Sequence, residues 1–316
     1  MKNILIGSFF LAASAMTCHS QINIPWTQYN QIPYLQNAGL TGIEEYTDIK
    51  AGYKKQWASF TGAPRTYFLG GNHSIHVGQR RPGPSPKTVK LGFSGYLAQN
   101  AYNSVNDLQI GLAHAVHIPV SQEYYLSMGI SASYNRLKTE TGDLVVRDQA
   151  DPMYQSFINN DGLLNYLNAD AGIMLYSAKL YVGYSAQRLV RSRFNSDIPG
   201  NEKSNLRHVA LLGYNHAVNK QWDIQPALLF RHESSLKDLY SISLKARYNG
   251  AVWGGAMFSP DEAISLMAGF RINSYLAFNY SYDISIGDTR SVSNGNHEII
   301  LGIMPFNKKA HKALLW

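Results

Sequence analysis

The chain is short of charge, of cysteine, of helical periodicity and of long apolar runs. Charged residues are 16% of its 316 positions, against roughly 25% in soluble domains. The formal net charge is +7, but no Lys/Arg run exceeds two residues and the basic side chains are scattered. A nucleic-acid face needs clustered positive charge, so nucleic acid is excluded as a partner. The only cysteine, Cys18, falls in the leader. Met1-Lys2-Asn3 is a short positive segment, Ile4 to Ala15 is apolar, and small residues follow. This predicts a secretory signal peptide over residues 1–20, cut after Ser20. Thr17 before Cys18 fits a lipidation signal poorly. Cleavage after Ser20 leaves no thiol for a disulfide, a metal site or a nucleophile. Beyond residue 20 no stretch reaches 18 apolar residues, which excludes a transmembrane helix. An exported chain of this kind is either soluble outside the cytoplasm or a closed β-barrel, the other architecture that satisfies its backbone in lipid.

What is present is two-residue alternation. Hydrophobic residues are 45% of the chain, and the aromatic set is 21 Tyr, 12 Phe and 5 Trp. In "DLQIGLAHAVHI" Leu108, Ile110, Leu112 and Val116 oppose Gln109, Gly111, Ala113, Ala115 and His117. In "YLAFNYSYDISIG" Leu276, Phe278, Tyr280, Tyr282, Ile284 and Ile286 oppose Ala277, Asn279, Ser281, Asp283 and Ser285. One face is apolar and aromatic, the other small and polar. That dyad over about ten residues is the signature of a transmembrane barrel strand with lipid outside and a polar lumen inside.

Such segments start near residues 47, 66, 88, 107, 124, 164, 178, 205, 222, 239, 250, 263, 275 and 296. The fold class read from them is all-β: an antiparallel transmembrane β-barrel of about 14 strands, after a short N-terminal periplasmic or plug-like segment. A soluble sandwich would carry more outward charge and would need a linker to divide so many strands. The domain reading is signal peptide 1–20, a non-strand segment 21–46, barrel 47–306 and tail 307–316.

Loops sort by side. Connections placed in the periplasm are short: "PVSQE" at 119–123, "SAK" at 177–179, "VNKQ" at 218–221, "NG" at 249–250 and "INS" at 272–274. Those placed outside include the two longest, about 138–163 and 191–204. This asymmetry is expected of the class. "GQRRPGPSPK" at 78–87 breaks the rule on the inner side. With Arg80 and Arg81 it is either a docking segment for a periplasmic partner or a longer solvated turn. Either Phe306 or Trp316 is the terminal aromatic; the sequence leaves both open.

Chemistry is sparse. His114 and His117 are three apart, which on a strand puts them on opposite faces. No zinc-ligand spacing or Gly-x-Ser-x-Gly elbow occurs. The acidic loop with Asp143, Asp148, Asp151 and Asp161 lacks calcium-loop spacing. No cofactor, metal or catalytic residue is assigned, and the chain reads as a non-enzyme.

"YKKQWASFTGAPRTYFLGG", Tyr53 to Gly71, reads as strand, tight outer turn at Gly62-Ala63-Pro64, and strand. Tyr53 and Trp57 fall on the lipid face, with Trp57 near the outer interface, and Lys54 and Gln56 face the lumen. This stretch resembles the PorP/SprF family of outer-membrane proteins associated with type IX secretion in Bacteroidetes. The family has a basic-x-Gln-Trp followed by Gly-x-Pro-x-Thr; here stand Gln56, Trp57, Gly62, Pro64 and Thr66. "QYNQIPYLQNAGLTG" is similar to the family's opening, with Asn37 and Gly42 in place, Ala38 where the family has Pro and Gly39 where it has Ala. "DPMYQ", with Asp151 and Pro152, resembles the mid-chain segment. "NHEIILGI", with His297 and Glu298, resembles the last strand.

The resemblance implies an outer-membrane accessory of type IX secretion. It implies three kinds of partner: outer-membrane lipid, adhesin-like secreted clients with a type IX C-terminal domain, and periplasmic type IX components. Arg80, Arg81, Asp151 and Pro152 are the candidate partner-binding residues. The alternative is a porin-like or FadL-like transporter of small molecules; a third class, an outer-membrane enzyme, has no motif behind it.

Overall fold

The structure is a computed structural model that describes residues 26–58, 62–78, 88–142, 148, 150–194, 205–234, 236–286, 290, 293–305 and 314–316. Residues 1–20, which contain Cys18 and are read from the sequence as a signal peptide, lie outside the described residues, as do the basic pair Arg80 and Arg81, Asp143 and Phe306.

The strands are β1 (Asp48–Lys55), β2 (Arg65–Val77), β3 (Val89–Tyr102), β4 (Val105–Pro119), β5 (Tyr125–Thr139), β6 (Leu163–Tyr176), β7 (Leu180–Phe194), β8 (Arg207–Tyr214), β9 (His216–Ala217), β10 (Trp222–Glu233), β11 (Leu239–Tyr248), β12 (Val252–Ser259), β13 (Ala263–Arg271), β14 (Leu276–Ser285) and β15 (Asn296–Ile303). All strands but β9 form a closed antiparallel ring of 14; β9 is a two-residue strand on β10 outside it. β1 closes the ring against β15 in continuous register from Ile49↔Ile303 to Lys55↔His297. Closure leaves no unpaired edge to meet lipid.

Alternation sets the two faces as expected. Ile110, Leu112, Ile130, Leu244 and Leu266 point out and are exposed, as an apolar band facing lipid requires. Ala113, Ala115, His117, Ser281 and Asp283 point in and are buried. At the short-turn end Asn249 and Gly250 both take positive φ, 49° and 66°, the conformation a type I′ hairpin turn demands.

Three features differ from the sequence reading. The lumen is not merely small and polar: Phe68, Tyr125, Tyr166, Tyr176, Tyr181 and Trp253 are buried inside it. The molecule's apolar core therefore lies within the barrel, where all of these rings but Tyr166 cluster with Trp26, Tyr29, Ile32, Tyr34 and Leu40 of the N-terminal segment. The longest outer connection holds a helix, α1 (Pro152–Asn159). Finally, the turn at Gly62-Ala63-Pro64 is not tight. β1 ends at Lys55 and β2 begins at Arg65, so residues 56–64 all belong to the connection. Trp57 is consequently not on the lipid face of β1. Its φ of 45° takes it out of the strand, an outlier for a bulky residue, and its N–H donates to Asn296 Oδ1 at 3.1 Å.

Candidate functional site: a plug threaded through the lumen

Residues 26–46 run inside the barrel in three single 3-10 turns, Tyr29–Gln31, Pro33–Leu35 and Ala38–Leu40. Prolines and amides make this segment a poor strand or helix, so its short turns pair only part of its own backbone. Side chains of the wall pair much of the rest. Lys50 donates to the carbonyl of Gln31. Gln187 Nε2 donates to the carbonyls of Leu35 and Gln36, each at 3.0 Å, and Ser185 adds a bond to Gln36 at 2.7 Å. Ser127 donates to Gly39 O at 2.6 Å, His117 Nε2 to Thr41 O at 2.7 Å, and Lys90 Nζ to Ile43 O at 2.9 Å. The Tyr176 hydroxyl lies 3.0 Å from His117 Nδ1, which leaves Nε2 as the donor nitrogen. The inward polar set, which on its own could line a solute path, is engaged in holding a chain segment.

Three family-motif residues hold the plug. Glu298 accepts the N–H groups of Thr27 and Gln28, both at 2.9 Å, and pairs with Lys54 at 3.5 Å, with both side chains almost fully buried. Asn37 folds its Oδ1 back onto Gly39 N at 2.8 Å and sends Nδ2 to the carbonyls of Ile173 and Tyr184, each at 3.2 Å, bridging β6 and β7. A Cβ on Gly172 would sit 1.9 Å from Asn37 Oδ1, so the wall is glycine where the plug touches it. Gly42 has φ of +71° and would meet Gly92 with a Cβ at 2.3 Å, so only glycine fits there. Its N–H donates to Asn72 Oδ1 at 2.7 Å. β15 and β6 lie on opposite sides of the ring, so the plug spans the lumen.

The other motif residues sit elsewhere. Gln56, Gly62, Pro64 and Thr66 order the outer rim: Gln56 N donates to Pro64 O at 3.0 Å, Asn103 N to Gly62 O at 3.1 Å, and Thr66 Oγ1 to Asn100 Oδ1 at 2.8 Å. His297 faces outward with Nδ1 2.7 Å from the Tyr280 hydroxyl. Asp151 accepts Tyr154 N at 3.4 Å and precedes Pro152, the first residue of α1. An acidic N-cap before Pro is a helix-start arrangement.

The residues that sequence reasoning missed lie at the short-turn end. Glu44 accepts Leu314 N at 3.1 Å and Leu315 N at 3.1 Å. Burial pushes its carboxyl above the usual carboxylate range, against those N–H bonds and the Lys50 charge, which pull it down. Lys245, Arg247 and Trp253 surround Trp316. The one available signal was parity, since Lys245 and Arg247 fall on the inward face of β11.

Among solved structures the chain is similar to the Ralstonia pickettii toluene transporter TbuX, with 10% identity, 85% of this chain and 92% of that chain covered, and a TM-score of 0.47. It is similar to the CymD monoaromatic hydrocarbon channel, with 10% identity, 91% and 94% covered, and a TM-score of 0.47. It is also similar to the translocator domain of the autotransporter NalP from Neisseria meningitidis, with 11% identity, 82% and 88% covered, and a TM-score of 0.38. The search of curated proteins finds no match. The sequence model of the type IX secretion system membrane protein PorP/SprF matches residues 18–303. A closed barrel with a lipid-facing apolar band and a near full-length family match lead to one conclusion: the chain belongs to the PorP/SprF family of type IX secretion system membrane proteins and resides in the outer membrane.

Proposed function

We propose that this barrel is a non-enzymatic accessory of type IX secretion that supports export or surface attachment of specific secreted proteins, adhesin-like clients with a type IX C-terminal domain. The carrying observation is that the plug occupies the lumen from the Thr27 contact on β15 to the Glu44 contact at the short-turn end. A barrel whose inward side chains hold its own chain works through its ends rather than through a water path. The extracellular end offers the long connections at 140–162, with Asp151 and Pro152 at the start of α1, and at 195–206. The sequence between β2 and β3, with Arg80 and Arg81, is the candidate contact for periplasmic type IX components.

Deleting the gene and comparing surface proteomes tests this reading. Selective loss of one or a few surface proteins is expected; an unchanged surface set overturns it. Liposome swelling with the purified barrel separates the transporter alternative, which requires rapid solute entry.

A further inference from the structure

The last three residues of the sequence are held at the short-turn end like a ligand. They join no strand ladder: β15 stops at Ile303, and Leu314–Trp316 are bonded to the barrel by side chains. The backbone of the tripeptide and its indole ring meet separate partners. Glu44 takes the N–H groups of Leu314 and Leu315. Asn215 Nδ2 and Gln225 Nε2 both donate to Leu314 O at 3.0 Å. The Trp316 ring packs edge-on to Trp253, with ring centroids 6.5 Å apart, below Arg247 at 4.4 Å and Lys245 at 5.2 Å. Leu315 and Trp316 are both buried. Cations over an indole and a buried carboxylate on backbone N–H groups are recognition chemistry for a peptide.

Apart from Glu44 on the plug and Asn215 beside β8, the receiving groups sit on β10, β11 and β12, which the strand ladders hold side by side without the tripeptide. The cleft it enters continues past it, with a further wall of Lys50, Phe270 and Arg271. The fit is also incomplete: the buried Trp316 Nε1 has no acceptor among the described residues, a deficit that weakens the hold of the present occupant.

We propose that the periplasmic mouth of the barrel is a binding cleft for a short linear peptide of bulky apolar residues that carries an indole, occupied here in cis by Leu314-Leu315-Trp316. A tethered occupant competes at roughly millimolar effective concentration, so the cleft takes a peptide in trans only when the tail is removed or outcompeted. The Glu44 contact places this exchange directly on the plug.

The test uses a fluorescent peptide of sequence Lys-Ala-Leu-Leu-Trp, residues 312–316, and the detergent-solubilised barrel. Anisotropy is read for the full chain, for a variant ending at residue 311, and for the full-length W316A variant. Both variants are expected to bind the peptide at least about tenfold more tightly than the full chain. A peptide with Ala in place of its Trp is expected to lose that binding. W316A covers the case in which the shortened chain does not fold, and heat-resistant migration in SDS reports folding for each. Folded W316A that binds the peptide no better than the full chain overturns the proposal, as does equal binding of the Ala-substituted peptide.

Discussion

Thr27 and Glu298 stand 271 positions apart in the sequence, and the backbone N–H of Thr27 lies 2.9 Å from the Glu298 carboxylate. Glu298 also faces Lys54 on the neighbouring strand, so one buried carboxylate ties the plug to both strands of the barrel's closing seam. Unbonded backbone inside a barrel is costly. A charged acceptor that takes two N–H groups at once removes that cost where the plug has no regular structure of its own.

Replacing Glu298 should destabilise the protein strongly. Glu298→Ala removes the ion pair with Lys54 and orphans two N–H groups, and breaking a buried pair in this way costs about 3–5 kcal/mol. Glu298→Gln keeps an acceptor and should cost less. Urea unfolding in detergent, followed by tryptophan fluorescence, measures both; equal midpoints for Glu298→Ala and the unaltered protein would count against this role.

The glycines of the wall should be sensitive where the plug touches them, and a glycine of the outer connection that faces open space should be tolerant. A Cβ on Gly92 would lie 1.9 Å from Thr41 O and one on Gly172 1.9 Å from Asn37 Oδ1, whereas one on Gly142 meets nothing within 4 Å. Gly92→Ala and Gly172→Ala are expected to lower stability by about 1–3 kcal/mol through overpacking, and Gly142→Ala to leave it unchanged. Thermal migration shifts in SDS compare the three directly.

Plug removal should open the lumen. The segment Trp26–Tyr46 carries the only backbone that the inward Ser127, Ser185, Gln187 and His117 hold in the bonds described above. A variant lacking residues 26–46, reconstituted in liposomes, is expected to admit small sugars several-fold faster than the intact barrel. Equal rates would mean that the plug does not set permeability.

Stability should depend on pH through Glu44. Its carboxyl is raised above the ordinary range by burial, so the folded protein binds a proton where the unfolded chain has lost it. The stabilisation is complete below the ordinary carboxylate pKa and is lost as pH rises through the raised value. Glu44→Gln, which cannot ionise, should flatten this part of the profile. Parallel urea midpoints from mildly acidic to neutral pH for the two proteins would contradict the assignment.

The strand pattern was legible because it is local. Strand starts read near 164, 222, 239 and 263 correspond to Leu163, Trp222, Leu239 and Ala263, since alternation and turn residues act within a few positions. Lys54 facing inward followed from the same parity, and the structure bears it out. Trp57 did not follow it. Parity holds only while the strand continues, and at Trp57 the backbone turns to positive φ under the contact with Asn296. The resemblance picked out Asn37, Gly42 and Glu298 without a reason for them. The reason is contact with Gly172, Gly92 and Thr27, which no local pattern encodes.

The sequence by itself determined that this chain closes a barrel of alternating strands. Two-residue periodicity, low charge and the lack of an apolar run of helix-spanning length leave few other ways to satisfy the backbone in lipid. Only the tertiary structure decided what fills the barrel. Ring closure brings residues 26–46 and 314–316 against inward side chains tens to hundreds of positions away, and those contacts depend on strand register, which alternation alone does not specify.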